Sequence, residues 1–94
     1  MASFKVIEIV DGDTFRVAPR WKSGQYTGDI VRPTGFDTPE IGEPGYENAK
    51  QQLAALILGK QVELGRAVNF DHGRIVCDVL VNGVNLGSHF TRYR

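Results

Sequence analysis

Val31-Arg32-Pro33-Thr34-Gly35-Phe36-Asp37-Thr38-Pro39-Glu40 places one arginine and two carboxylates where a strand should be ending. The apolar lead-in Ile30-Val31 reads as strand. Pro33 and Gly35 then interrupt it, since proline cannot donate to a sheet ladder and glycine tolerates a bulge. In a regular strand Arg32 and Asp37, an odd number of residues apart, point to opposite faces. Only a bulge or an early strand end lets them converge. Thr38 precedes Pro39 and is held extended, which fixes its carbonyl and makes that oxygen a candidate ligand for a hard cation beside Asp37. Taken alone, Asp-Thr-Pro-Glu reads first as a turn leading into a helix, since Asp, Thr and Pro all favour that role.

Outward from this stretch the chain alternates strand and turn signals. Residues 4–10 are rich in β-branched side chains, with Phe4, Val6 and Glu8 on one face and Lys5, Ile7 and Ile9 on the other. Asp11-Gly12-Asp13 is a hairpin-type turn and residues 14–18 the return strand, so Asp13 sits where turn meets strand. Residues 19–28 hold a proline, two glycines and the single tryptophan, and read as a loop or a twisted hairpin end. Trp21 is expected to pack rather than to serve as a stacking platform. Tyr46, Ala49, Leu53, Leu56 and Ile57 follow helical spacing over 46–58, with Gly59 at the C-terminal cap position. Residues 61–64 and 74–81 read as strands, the second alternating Ile75, Cys77, Val79 and Val81 on one face, and Asn82-Gly83 is a hairpin turn. Residues 68–73 between them read as a loop delivering Arg74 to a strand start. Mainly β with α, this pattern predicts an α+β fold: a five-stranded OB-fold-like barrel with one packed amphipathic helix. An ordinary α+β sheet fits the same spacing.

Ninety-four residues suit one domain with one core. No apolar run approaches the ~20 residues of a membrane span, and the N-terminal Met-Ala-Ser-Phe-Lys lacks a signal-peptide core, so the default expectation is cytoplasmic. The single Cys77 cannot form an internal disulfide and reads as a small core residue. Formal net charge is zero, which argues against a binder driven by bulk electrostatics. The charge is unevenly spread. Residues 29–64 carry Asp29, Asp37, Glu40, Glu43, Glu47 and Glu63 against Arg32, Lys50 and Lys60, an acidic excess that a divalent cation would offset.

Asp-Gly-Asp-Thr at 11–14, Arg32 with Asp37-Thr38-Pro39-Glu40, the amphipathic helix with Leu-Gly-Lys at 58–60, and Gly73-Arg74 opening a strand occur here in one order. In that order and spacing the chain resembles the staphylococcal (micrococcal) nuclease-like family, over roughly residues 6–86. The resemblance implies an OB-fold barrel and calcium-dependent hydrolysis of DNA and RNA, with single-stranded or frayed substrate preferred and 3′-phosphate ends left. It makes Asp13, Asp37 and the Thr38 carbonyl the calcium ligands, with magnesium offering the same ligand types. It makes Glu40 the base that activates water, and Arg32 and Arg74 the phosphate clamp. Pro33, Phe70 and His72 depart from the family's pattern, and His72 is expected to be an ordinary loop histidine. The helical segment over 85–94 is short, which leaves room for a partner chain or homodimer there. A non-catalytic OB-type module that binds nucleic acid or protein is the alternative expectation, and a structural or assembly domain a third.

Overall fold

Three consecutive antiparallel strands open the chain: β1 (Ala2–Asp11), β2 (Thr14–Ser23) and β3 (Tyr26–Pro33). One helix, α1 (Tyr46–Ile57), separates them from β4 (Gln61–Asp71), β5 (Arg74–Val81) and the two-residue β6 (Val84–Asn85). Two short 3-10 turns, Leu86–His89 and Thr91–Tyr93, follow. The computed structural model describes residues 2–93; Met1 and Arg94, the outer ends of the terminal segments discussed above, lie outside them. Sheet order is β3-β2-β1-β4-β5-β6, and a parallel pairing of β3 with β5 closes it. The result is a closed, mixed five-stranded barrel with one helix, matching the expected OB-fold-like α+β architecture. No helix is long and apolar enough to cross a membrane.

The barrel interior is filled from β1 to β5. Val6, Phe15, Val17, Val31, Val62, Leu64, Ile75, Cys77 and Val79 are buried together, and α1 adds Leu53 and Ile57. Burial pushes the Cys77 thiol up to about 12, with Asp78 adding to the effect, so it packs as a small apolar group. Trp21 packs edge-on against Phe4, with ring centroids 5.9 Å apart. Tyr46, Ala49, Leu53 and Ile57 form the buried stripe of α1 at the predicted spacing. Past its C-terminus, Gly59 (φ 78°) lets the chain turn back, and Gly59 N–H and Val6 N–H donate to Val6 O and Lys60 O, both at 2.9 Å.

Several boundaries differ from the sequence expectation, each for a local reason. The face assignment in β1 holds only as far as Val6. A bulge at Ile7 gives β1 one more residue than β2, which turns Ile9 inward and leaves Ile7 and Glu8 exposed. Of the two readings of residues 19–28, the hairpin end holds and the loop does not: β2 continues through Pro19 to Ser23, the chain turns at Gly24-Gln25, and β3 begins at Tyr26. Pro19 is accommodated by an irregularity in the β2–β3 register between Arg16 and Trp21. Likewise β4 runs to Asp71 rather than stopping at Leu64, because bulges on either side of Ala67 absorb its loss of alternation. Pro33 does not interrupt β3 but is its last residue, paired with Cys77.

The two 3-10 turns after β6 are packed against the barrel. Phe90 is fully buried and stacks on Phe36 with centroids 4.4 Å apart, and Asp37 N–H donates to Tyr93 O at 3.0 Å. Gln52 of α1 donates to His89 O at 2.7 Å. The 3-10 turns thus pin the loop that carries Asp37. Phe90→Ala is expected to cost about 3–5 kcal/mol in urea unfolding. A loss below ~1 kcal/mol, the range of surface substitutions, would show that this segment is not docked.

Candidate active site

Gly12 and Asp13 form the two-residue turn between β1 and β2, with Asp11 paired to Thr14. Sequence reading assigns Gly12 to turn chemistry, but its backbone is not left-handed; what it provides is closeness. A Cβ there would lie 2.7 Å from Thr38 Oγ1 and 2.8 Å from Ala49 Cβ, so only glycine lets the turn, the 37–40 loop and α1 meet. Tyr46 of α1 donates to Asp11 Oδ1 at 3.0 Å, and burial together with that carboxylate pushes the phenol's pKa up. Asp13 is thereby set under the loop, with a side chain only 10 % exposed.

The convergence that the 31–40 stretch required is present. β3 ends at Pro33, and the chain then bends so that Arg32 Nη2 donates to Asp37 Oδ1 at 2.8 Å and lies 3.7 Å from Asp13 Oδ2. Asp13 and Asp37 face each other within hydrogen-bonding range. Burial, then the Asp37 carboxylate, push the Asp13 pKa up, against the Thr38 N–H, Arg32 and the Thr14 hydroxyl, which favour its ionised form. Thr38 is itself buried and donates its N–H to Asp13 Oδ2 at 3.4 Å. Its hydroxyl, buried beside Gly12, has no hydrogen-bond partner among the described residues.

Arg74 arrives from the start of β5, the strand paired in parallel with β3. Its Nη1 donates to Thr14 Oγ1 at 3.2 Å and its Nη2 to Asp71 Oδ2 at 3.1 Å, and Nε reaches the Asp71 carbonyl at 3.3 Å. Thr14 in turn donates to Asp13 Oδ1 at 3.1 Å. One relay of polar contacts therefore runs from Asp37 through Arg32, Asp13, Thr14, Arg74 and Asp71 to His72. It borders a cleft of about 370 Å³ whose lining includes all six residues singled out from the sequence: Asp13, Arg32, Asp37, Thr38, Glu40 and Arg74. Glu40 is exposed there, its backbone fixed by a reciprocal pair: Glu40 N–H to Glu43 Oε1 at 2.6 Å and Glu43 N–H to Glu40 O at 2.9 Å.

Two participants were missed in the sequence. Thr14 bridges the acidic and basic halves, a role no local pattern announces. Asp71 holds Arg74, and the signal was available: in a two-residue hairpin the flanking residues are directly paired, so Asp-His-Gly-Arg sets opposite charges across from each other.

The donor set is suited to an oxygen-loving cation, although among the described residues no three His, Cys, Asp or Glu side chains gather as a metal-ligand group. Two carboxylates pressed together with a single arginine between them retain an uncompensated charge. With the Thr38 carbonyl they would supply part of a calcium shell and leave the remainder to water and substrate oxygens. Compared with protein-family models and with curated proteins, the chain matches none.

The raised Asp13 pKa fixes a sign for stability. The folded state binds this proton more tightly than the unfolded chain, so the stabilising contribution is complete below the unfolded value, near 3.9, and is lost as pH rises through the folded one. Asp13→Asn stays neutral throughout. In chelator it should therefore melt higher than the parent at pH 7 and show no such advantage at pH 3. A variant less stable than the parent at pH 7 would contradict the repulsive carboxylate pair.

Proposed function

We propose that this chain is a calcium-dependent phosphodiesterase of the staphylococcal nuclease-like kind, hydrolysing single-stranded or frayed DNA or RNA. The observation that carries the reading is the meeting of two arginines from different strands with a facing carboxylate pair and a separate exposed carboxylate in one cleft. A phosphodiester anion repels nucleophiles, so a site that hydrolyses it must neutralise charge that grows toward the transition state. Arg32 and Arg74 present planar, charge-assisted donors for the non-bridging oxygens, a geometry lysine does not match. Calcium, bound by Asp13, Asp37 and the Thr38 carbonyl, would supply Lewis acidity toward the same phosphate. Glu40 takes a proton from water as its oxygen attacks phosphorus, and the 5′ oxygen leaves, so that the phosphate stays on the 3′ side.

Arg32 is engaged by the same acids that would hold the cation, so a cation on Asp13 and Asp37 would free its guanidinium for the phosphate. The formal net charge of zero gives little nonspecific attraction for nucleic acid, and the rival reading is a non-catalytic OB-type module that keeps these residues and binds nucleic acid or protein. Cleavage of labelled single-stranded DNA and RNA in calcium, in magnesium and in chelator separates the two. The expected result is calcium-dependent cleavage leaving 3′-phosphates, reduced by about 10²–10³-fold in Arg32→Ala, the scale of losing one fixed donor, and abolished in Glu40→Ala. Binding without cleavage, or cleavage indifferent to both substitutions, would overturn the catalytic reading.

A further inference from the structure

We propose that His72, held by Asp71, is the general acid that protonates the departing 5′ oxygen; this rests on the phosphodiesterase reading above. His72 and Gly73 form the β4–β5 turn with φ of 51° and 80°. Asn82 and Gly83 form the β5–β6 turn with φ of 52° and 80°, so the backbone does not itself call for an imidazole at this place. What distinguishes His72 is its surroundings. Nδ1 lies 2.8 Å from Asp71 Oδ1, while Asp71 Oδ2 accepts from Arg74, and the imidazole lines the cleft. A carboxylate on Nδ1 fixes the ring and leaves Nε2 as the nitrogen available to substrate.

An in-line displacement needs a base for the attacking water and an acid for the leaving oxygen, and Glu40 and His72 both line the cleft that Arg32 and Arg74 border. The polar relay runs from Asp37, on the loop that also carries Glu40, through Arg32 and Arg74 to His72, so base and acid come from different segments of the chain. In the step itself, water oxygen bonds to phosphorus and Glu40 accepts one of its protons. The bond from phosphorus to the 5′ oxygen breaks with its electron pair on oxygen, and protonated His72 supplies the proton from Nε2. A 3′-phosphate and a 5′-hydroxyl result. The His72 side chain is 83 % exposed, so it regains its proton directly from solvent.

The test uses two substrates of the intact protein in calcium. In the dinucleotide TpT the leaving group is a sugar hydroxyl that must be protonated. In thymidine 3′-(4-nitrophenyl phosphate) it is nitrophenolate, which departs without a proton. His72→Asn, which retains a side chain at home in the left-handed turn, should lower kcat on the dinucleotide about 100-fold, the usual scale of general-acid catalysis. It should change kcat on the nitrophenyl ester less than about 3-fold, the scatter expected where no proton transfer is lost. Imidazole added to His72→Gly should restore part of the dinucleotide activity. Equal losses on both substrates, or no loss on the dinucleotide, would overturn the assignment while leaving the phosphodiesterase reading standing. A parent protein that cleaves neither substrate would overturn both.

Discussion

Parallel pairing of Val31, Arg32 and Pro33 with Ile75, Val76 and Cys77 closes the barrel, and the candidate site depends on that closure. Arg32 and Arg74 are 42 positions apart in the chain and belong to strands separated by a helix and a long antiparallel strand. A parallel pair cannot form through a short hairpin, so its loop entropy is met only by the core that closure completes. The interior side chains at these positions, Val31, Ile75 and Cys77, are fully buried. Core packing and the approach of the two guanidiniums are therefore one event.

The site is built from parts that each have a structural reason to be where they are. Gly12 permits contact with the 37–40 loop because it has no Cβ, and Tyr46 of the helix holds the neighbouring Asp11. Phe90 and the Tyr93 carbonyl hold the loop from its other side, so the two 3-10 turns fix the backbone at Asp37. Against this rigid frame the acidic pair is unfavourable. Asp13 is buried beside a second carboxylate, and the burial that secures its position also disfavours its charge. Groups held against their own preference at one point of a well-packed fold are the usual mark of a functional site rather than of a stabilising one.

Much of the fold was legible. The helix was readable from Tyr46, Ala49, Leu53 and Ile57, and β5 from Ile75, Cys77 and Val79, because one face of each is buried. Alternation failed where bulges reset it, at Ile7 and around Ala67, and where Pro19 continued β2 instead of ending it. A bulge changes which face a residue occupies without leaving a compositional trace. The need for Arg32 to turn toward Asp37 was evident from their odd spacing, and a strand ending at Pro33 provides it. The bridging roles of Thr14 and Asp71 depended on register and three-dimensional closure, which no window of sequence contains.

If Asp13 and Asp37 together form one cation site beside Arg32 and Arg74, calcium binding depends on both carboxylates. Calorimetric titration of calcium into the parent protein, Asp13→Asn, Asp37→Asn and Arg74→Ala tests it most directly. The account predicts one calcium per chain, lost in both aspartate variants and retained in Arg74→Ala. Absence of calcium binding to the parent, or binding unchanged by either aspartate substitution, would contradict it.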